Sequence, residues 1–205
     1  MNYPTAKQFI YLTNEGVHFA TSSSQHDPDR RILLCLLKQP NTLKLFQFLN
    51  LLKAESEKLS FEHTIALFNK GYLIAKDTAG ELASLSIEKS LPNILKELSD
   101  NQHCAIADQE GFLLAHSGFN LNQAEQAAIL AVEIIGLQAK RQHNIQQASG
   151  ERSFISIIDA DGKSQLRFVP IYFNQQVFIL AIKGNPQLKN THFIHLAWLL
   201  GQRYL

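Results

Sequence analysis

Eight histidines and two cysteines are the residues of this 205-residue chain best suited to hold a metal or start nucleophilic chemistry, and their spacing favours neither. His192 and His195 sit three apart near the C-terminus, where a helix would point both the same way, as helix-borne zinc ligands do. No third ligand stands close by, and neither His-Glu-x-x-His nor Cys-x-x-Cys occurs, so no metal is expected. Cys104 follows His103, but adjacent strand residues point to opposite faces and cannot act as nucleophile and base. Cys104 reads as a core thiol. Asp108 opens Asp108-Gln109-Glu110-Gly111, where a carboxylate at a hairpin turn accepts backbone N–H groups. The chain has no Gly-x-x-x-x-Gly-Lys-(Ser/Thr) and no Gly-x-Gly-x-x-Gly, so it is not itself a nucleotide-binding GTPase. Arg141, Arg152 and Arg167 are the second-half candidates for an arginine finger supplied in trans. Each reads as an ordinary solvated arginine. No catalytic residue and no cofactor is expected, and the chain is read as no enzyme.

Composition narrows the classes further. Hydrophobic residues make up 45%, enough for a core, and charged residues only 18%, below the usual quarter. The longest apolar runs, Ile32 to Leu37 and Val177 to Ile182, are too short to span a bilayer. Met1-Asn2-Tyr3-Pro4-Thr5 lacks the basic start and apolar stretch of a secretory signal. Two cysteines in apolar surroundings suit a reducing compartment, so a cytoplasmic location is expected. A net charge of +1 removes any bulk electrostatic argument for nucleic acid or an anionic membrane surface. Neither nucleic-acid binding nor membrane insertion is expected.

These residues must be positioned by two halves of different rhythm, in an α+β fold. In the first, β-prone runs at 8–12 and 17–21 flank Asn14-Glu15-Gly16, which predicts a hairpin. Asp27-Pro28 opens a helix through Leu37 that Gln39-Pro40 stops. Asn41 or Thr42 caps a second, with Leu45, Phe48, Leu49 and Leu52 on one face. Ser60 caps a third, carrying Phe61, Ile65 and Phe68 and ending at Gly71, before a strand at 72–74. Residues 1–76 thus have the outline of a small, mostly helical winged-helix-like module. Residues 1–90 carry ten Lys or Arg against nine Asp or Glu, and the third helix offers Glu62, His63, Asn69 and Lys70. That is a poor footprint for a phosphate backbone, so a protein-docking module is favoured over a DNA reader.

Residues 77–90 read as a linker. From Leu91 the elements come without spare loop: a helix at 91–99, a strand at 104–107, a return strand at 112–115, then a long alanine-rich helix capped by Asn120 or Asn122 and reaching about Gln147. Segments 152–159, 164–173 and 176–183 are β-rich and joined by Asp161-Gly162 and Asn174-Gln175, which predicts an antiparallel meander. A last helix opens at Asn190 or Thr191. The order is α-β-β-α-β-β-β-α over 91–205, with a five-stranded antiparallel sheet.

That order, with Asp108-Gln109-Glu110-Gly111-Phe112-Leu113-Leu114-Ala115 followed by Ala124, Ala127, Ala128 and Ala131, resembles the Roadblock/dynein light chain family, of profilin-like architecture. The resemblance covers residues 91–205. It implies a homodimer, with long helices side by side and sheets joined edge to edge, and a scaffold or regulator of a small Ras-like GTPase. The alternative readings are a small-ligand sensor of PAS or GAF type and a DNA-binding regulator acting through the first half.

The long helix carries the most information. Gln126, Glu133, Lys140 and Asn144 set its polar pole at ~100° per residue. The apolar arc runs from Leu137 and Leu130 through Ile134, Ala127, Ala131 and Ile135 to Ala139 and Val132, about 220° wide by the same rotation. A helix on one sheet buries a stripe of somewhat over ~100°. The excess points to a second copy, with Leu130, Leu137, Phe154, Ile155 and Ile157 at the interface. The segment Phe154-Ile155-Ser156-Ile157-Ile158, as a sheet edge, is an aggregation liability unless covered. Ile129 stands out among Gln126, Glu133 and Lys140, and these four mark the expected partner surface.

Overall fold

The computed structural model describes residues 4–55, 61–79, 87–149 and 155–205. Among them are seven helices and seven strands, in two compact units. The first comprises Met1–Leu85, Tyr172–Gln175 and Phe193–Leu205; the second comprises Ser86–Ile171 and Gln176–His192.

In the first unit, β1 (Phe9–Leu12) is followed by a helix, α1 (Asn14–Thr21), so the expected hairpin does not form. Thr13 is the reason: its Oγ1 accepts the Gly16 N–H at 3.0 Å and caps the turn. Val17, Ala20 and Thr21 then fall on one buried face at helical spacing. β1 pairs instead with β2 (Leu73–Lys76), antiparallel, from Phe9↔Lys76 to Leu12↔Leu73. α2 (Pro28–Leu37) has the expected bounds, with Asp27 as N-cap accepting from the Arg30 N–H. α3 (Leu45–Glu55) starts later than a cap at Asn41 or Thr42 requires; the Lys44 N–H is held by Gln47 Oε1. Leu45, Phe48 and Leu52 are buried as expected. α4 (Phe61–Asn69) is rotated from the predicted face: Thr64 and Leu67 are buried, while Phe61 is 55% exposed. Ser60, its expected cap, lies outside the described residues.

The second unit opens with α5 (Ile87–Lys96), which starts inside the expected linker. β3 (His103–Asp108) and β4 (Leu113–Ser117) form the predicted hairpin, and α6 (Leu121–Ser149) follows. β5 (Ile155–Ile158), β6 (Ser164–Phe173) and β7 (Gln176–Lys183) complete a five-stranded antiparallel sheet of order β4-β3-β7-β6-β5. One face packs against α6 through Ala105, Phe168, Ile179 and Ala181. Cys104, Ile106, Leu180 and Ile182 alternate to the other face and are buried there, where α5 lies along β3 and β4.

The last helix, α7 (Thr191–Tyr204), corrects the expected domain boundary. Read from sequence as the closing element of 91–205, it belongs from Phe193 onward to the first unit. Trp198 Nε1–H donates to Gln39 O at 2.8 Å, and the Phe193 ring stacks on His18 with centroids 4.5 Å apart. Its apolar stripe needed a core, and the local sequence does not specify which one.

Candidate interaction surface

The two faces of α6 assemble the surface. Asn120 caps the helix: its Oδ1 accepts the Gln123 N–H at 2.9 Å, while Gln123 Oε1 accepts the Asn120 N–H at 3.1 Å, a reciprocal pair that satisfies two amide donors. Ala124, Ala127, Ala128 and Ala131 are buried in the second unit's core. Small side chains on α6 and on β3 and β7 let the two layers lie close together. Gln126, Glu133 and Lys140 are exposed, as the polar pole requires.

Leu130 and Leu137 flank this pole and are 38% and 55% exposed. The side chains of Ala139 and Asn144 lie outside the described residues. Ile129, on the other flank, is 51% exposed. A Cβ on Gly111 would lie 3.4 Å from Val132 Cγ2, so the β3–β4 turn sits beside the Val132 flank. β4 and β5 are opposite edges of the sheet, and Leu130 and Leu137 lie on the other side of the polar pole from Val132. Ile155 and Ile157 pair with Phe168 and Leu166, residues of the sheet face that α6 covers. Ile157 is nevertheless 41% exposed. Phe154 lies outside the described residues. Leu130 and Leu137 thus lie across the polar pole of α6 from Ile129, and Ile155 and Ile157 lie on the edge strand β5.

Two further apolar side chains, not among the expected interface residues, are exposed. Phe112, at the tip of the β3–β4 hairpin, is 66% exposed, and Ile158, ending the edge strand, is 61% exposed. Both neighbour the same turn used twice. Asp108 Oδ1 accepts the Glu110 and Phe112 N–H groups, and Asp159 Oδ1 those of Asp161 and Lys163. Gly111 and Gly162 supply the left-handed residue, at φ 90° and 78°. The repeat Asp-x-(Glu/Asp)-Gly at 108–111 and 159–162 was the available signal.

The remaining chemical candidates have structural places. Burial pushes the Cys104 thiol far above the ordinary range, so it carries no thiolate for attack. Arg167 Nη1 donates to Gly184 O at 2.6 Å and to Asn185 Oδ1 at 2.8 Å. Arg141 is exposed at a non-helical residue inside α6, φ −120° and ψ 16°; Arg152 lies outside the described residues. His195 is exposed and His192 half-buried on α7. Among the described residues no group of three His, Cys, Asp or Glu side chains is placed to hold a metal, and no helix is long and apolar enough to cross a membrane.

Asp100 and Asp159 organise the sheet's loops, and both carboxyls sit below the ordinary value near 3.8. For Asp100 the main cause is the Asn185 backbone N–H, then the Asn185 side chain; for Asp159 it is the Lys163 N–H, then the Gln165 amide. A carboxylate depressed by folding adds stability at neutral pH and loses it as the pH falls through its folded value. Thermal melts taken downward from pH 5 should therefore show the melting temperature falling below pH 4, less steeply in Asp100→Asn and Asp159→Asn, which start lower at pH 7.

Compared with models of known protein families, with curated proteins and with solved structures, the chain gives no match.

Proposed function

We propose that the chain is a non-enzymatic regulatory or scaffold protein. Its second unit is Roadblock-like and pairs with a second copy, its first is a winged-helix-like docking module, and the dimer holds a small Ras-like GTPase. What supports the pairing is exposed apolar surface: Leu130 and Leu137 on α6 are 38% and 55% exposed, and Ile157 on the edge strand β5 is 41% exposed. A second α6 laid alongside, and a second β5 paired with the first, would cover them together and remove the open edge. The element order from α5 to β7 is the one the family resemblance implies, which supports the architecture, while the closing helix α7 packs with the first unit from Phe193 onward. The close alanine packing between α6 and the sheet supports a regulator over a ligand sensor, because it gives that layer to core contacts. Ile129, with Gln126, Glu133 and Lys140 around it, is the GTPase-facing patch. The dimer regulates by binding one arrangement of the GTPase switch loops more tightly than the other.

Light scattering on the full chain tests the pairing, with twice the chain mass of 23.1 kDa expected at micromolar concentration. Leu137→Asp should return a single-chain mass with its helical circular dichroism intact, since this side chain is half exposed in one chain. Ile129→Glu should keep the double mass and lower binding of Ras-like GTPases from the same genome at least about tenfold, ~1.4 kcal/mol. A single-chain mass for the unmodified protein overturns the pairing. Unfolding by Ile129→Glu overturns the assignment of faces.

A further inference from the structure

The outward face of the small sheet in the first unit carries aromatic rings and lysines in alternation. In the β1–β2 register Phe9 is opposite Lys76 and Tyr11 opposite Ile74, and directly opposed residues share a face. Ile10, the residue between the two rings, is 1% exposed and points inward, as does Leu73 at 2%. On the other side of β1, Phe9 bridges to Lys44. The outward face is thus a row Lys44–Phe9–Lys76 beside a row Tyr11–Ile74, in which Lys76 and Ile74 are exposed and Phe9, Tyr11 and Lys44 half-buried. Lys44 Nζ sits over the Phe9 ring at 5.4 Å from its centroid, and Lys76 Nζ over the Tyr11 ring at 5.0 Å. Tyr11 is fixed at its far end by a hydrogen bond from its hydroxyl to Thr78 O at 2.8 Å.

We infer that this face binds single-stranded nucleic acid by stacking. Two residues along a strand are about 6.8 Å apart, so Phe9 and Tyr11 offer platforms to two separate bases rather than to one stacked pair. The lysine over each ring makes the surface complementary to a nucleotide in both parts: the ring takes the base, and the ammonium, on its flexible stem, moves from the ring to the adjacent phosphate. An acidic peptide would use the ammoniums and leave the rings idle. A duplex keeps its bases stacked inside and gives the rings nothing to receive. The expectation of no nucleic-acid partner came from overall charge and from α4; a stacking surface depends on neither, and needs two cations in place rather than a basic protein.

Fluorescence anisotropy of a labelled ten-residue oligo(dT) with the full chain is the test. Saturable binding is expected, with log affinity falling against log salt at a slope of about −1.4 for two phosphate contacts and about −0.7 in Lys76→Gln. Phe9→Leu and Tyr11→Leu should each weaken binding about 5- to 150-fold while leaving the salt slope unchanged. Circular dichroism confirms that each variant is folded, and Lys76→Gln, on an exposed side chain, keeps the test open if a ring variant is not. Equal or tighter binding of a ten-pair duplex, of poly-glutamate or of phosphatidylserine vesicles at the same salt overturns the inference. So does oligo(dT) binding indifferent to all three variants, or none at 1 mM protein.

Discussion

Gly16→Ala is expected to destabilise the first unit by at least ~3 kcal/mol, although glycine to alanine inside a helix ordinarily gains up to ~1 kcal/mol. The added Cβ would stand 2.1 Å from Tyr72 O and 3.0 Å from Tyr72 C, and a backbone neighbour has no rotamer in which to yield. The same carbonyl oxygen accepts the Thr13 N–H at 3.1 Å and the Thr13 hydroxyl at 3.3 Å. Pushing it aside therefore loosens the N-cap of α1 and the Leu12↔Leu73 end of the β1–β2 ladder together. A drop of roughly 6–12 °C in the melting temperature corresponds to that loss in a chain of this size. Gly136→Ala is the control: on α6 its Cβ would meet nothing within 4 Å, and a gain of about 0.5–1 kcal/mol is expected. A melting temperature for Gly16→Ala at or above that of the unmodified chain would show that α1 and Tyr72 do not approach this closely.

A chain ending at Asn190 is expected to lose the first unit altogether. Such a truncation removes Phe193, Leu196, Trp198 and Leu200, at 1%, 0%, 7% and 0% exposure. At ~1.5–3 kcal/mol for each buried side chain the loss is about 6–12 kcal/mol, which is comparable with the whole stability of a domain. Gly201 shows how close the contact is, since a Cβ there would lie 2.9 Å from both Leu37 Cβ and Leu37 O. Limited proteolysis of the truncated chain should cut within α1 to α4, where the full chain resists. The single substitution Trp198→Ala should cost ~3–5 kcal/mol, from the cavity it leaves and from the Gln39 carbonyl that loses its indole donor. Residues 1–90 made alone and melting cooperatively would contradict the grouping of α7 with the first unit.

The sequence by itself determined what short-range chemistry decides. Asp27-Pro28 and Gln39-Pro40 bounded α2, because a cap and a proline act on their own neighbours. Asp108 to Gly111 turned the β3–β4 hairpin, Asn120 started α6, and the β6 and β7 spans match their predicted segments. Ile129 could be read as exposed because the polar residues around it share its helical angle. Only the tertiary structure decided which partner each apolar face found. Residues 17–21 are short and β-prone, and the Thr13 cap with burial of Val17 and Ala20 overrode that propensity. Phe61, Ile65 and Phe68 follow helical spacing, yet Thr64 and Leu67 take the interior while Ile65 and Phe68 are half-buried and Phe61 exposed, because packing selects among helix faces that the pattern leaves similar. The placing of α7 with α1 and α2, 150 residues and more away in sequence, lies outside any local window. An amphipathic stripe states that a surface must be covered, and the identity of the cover is a property of the assembled chain.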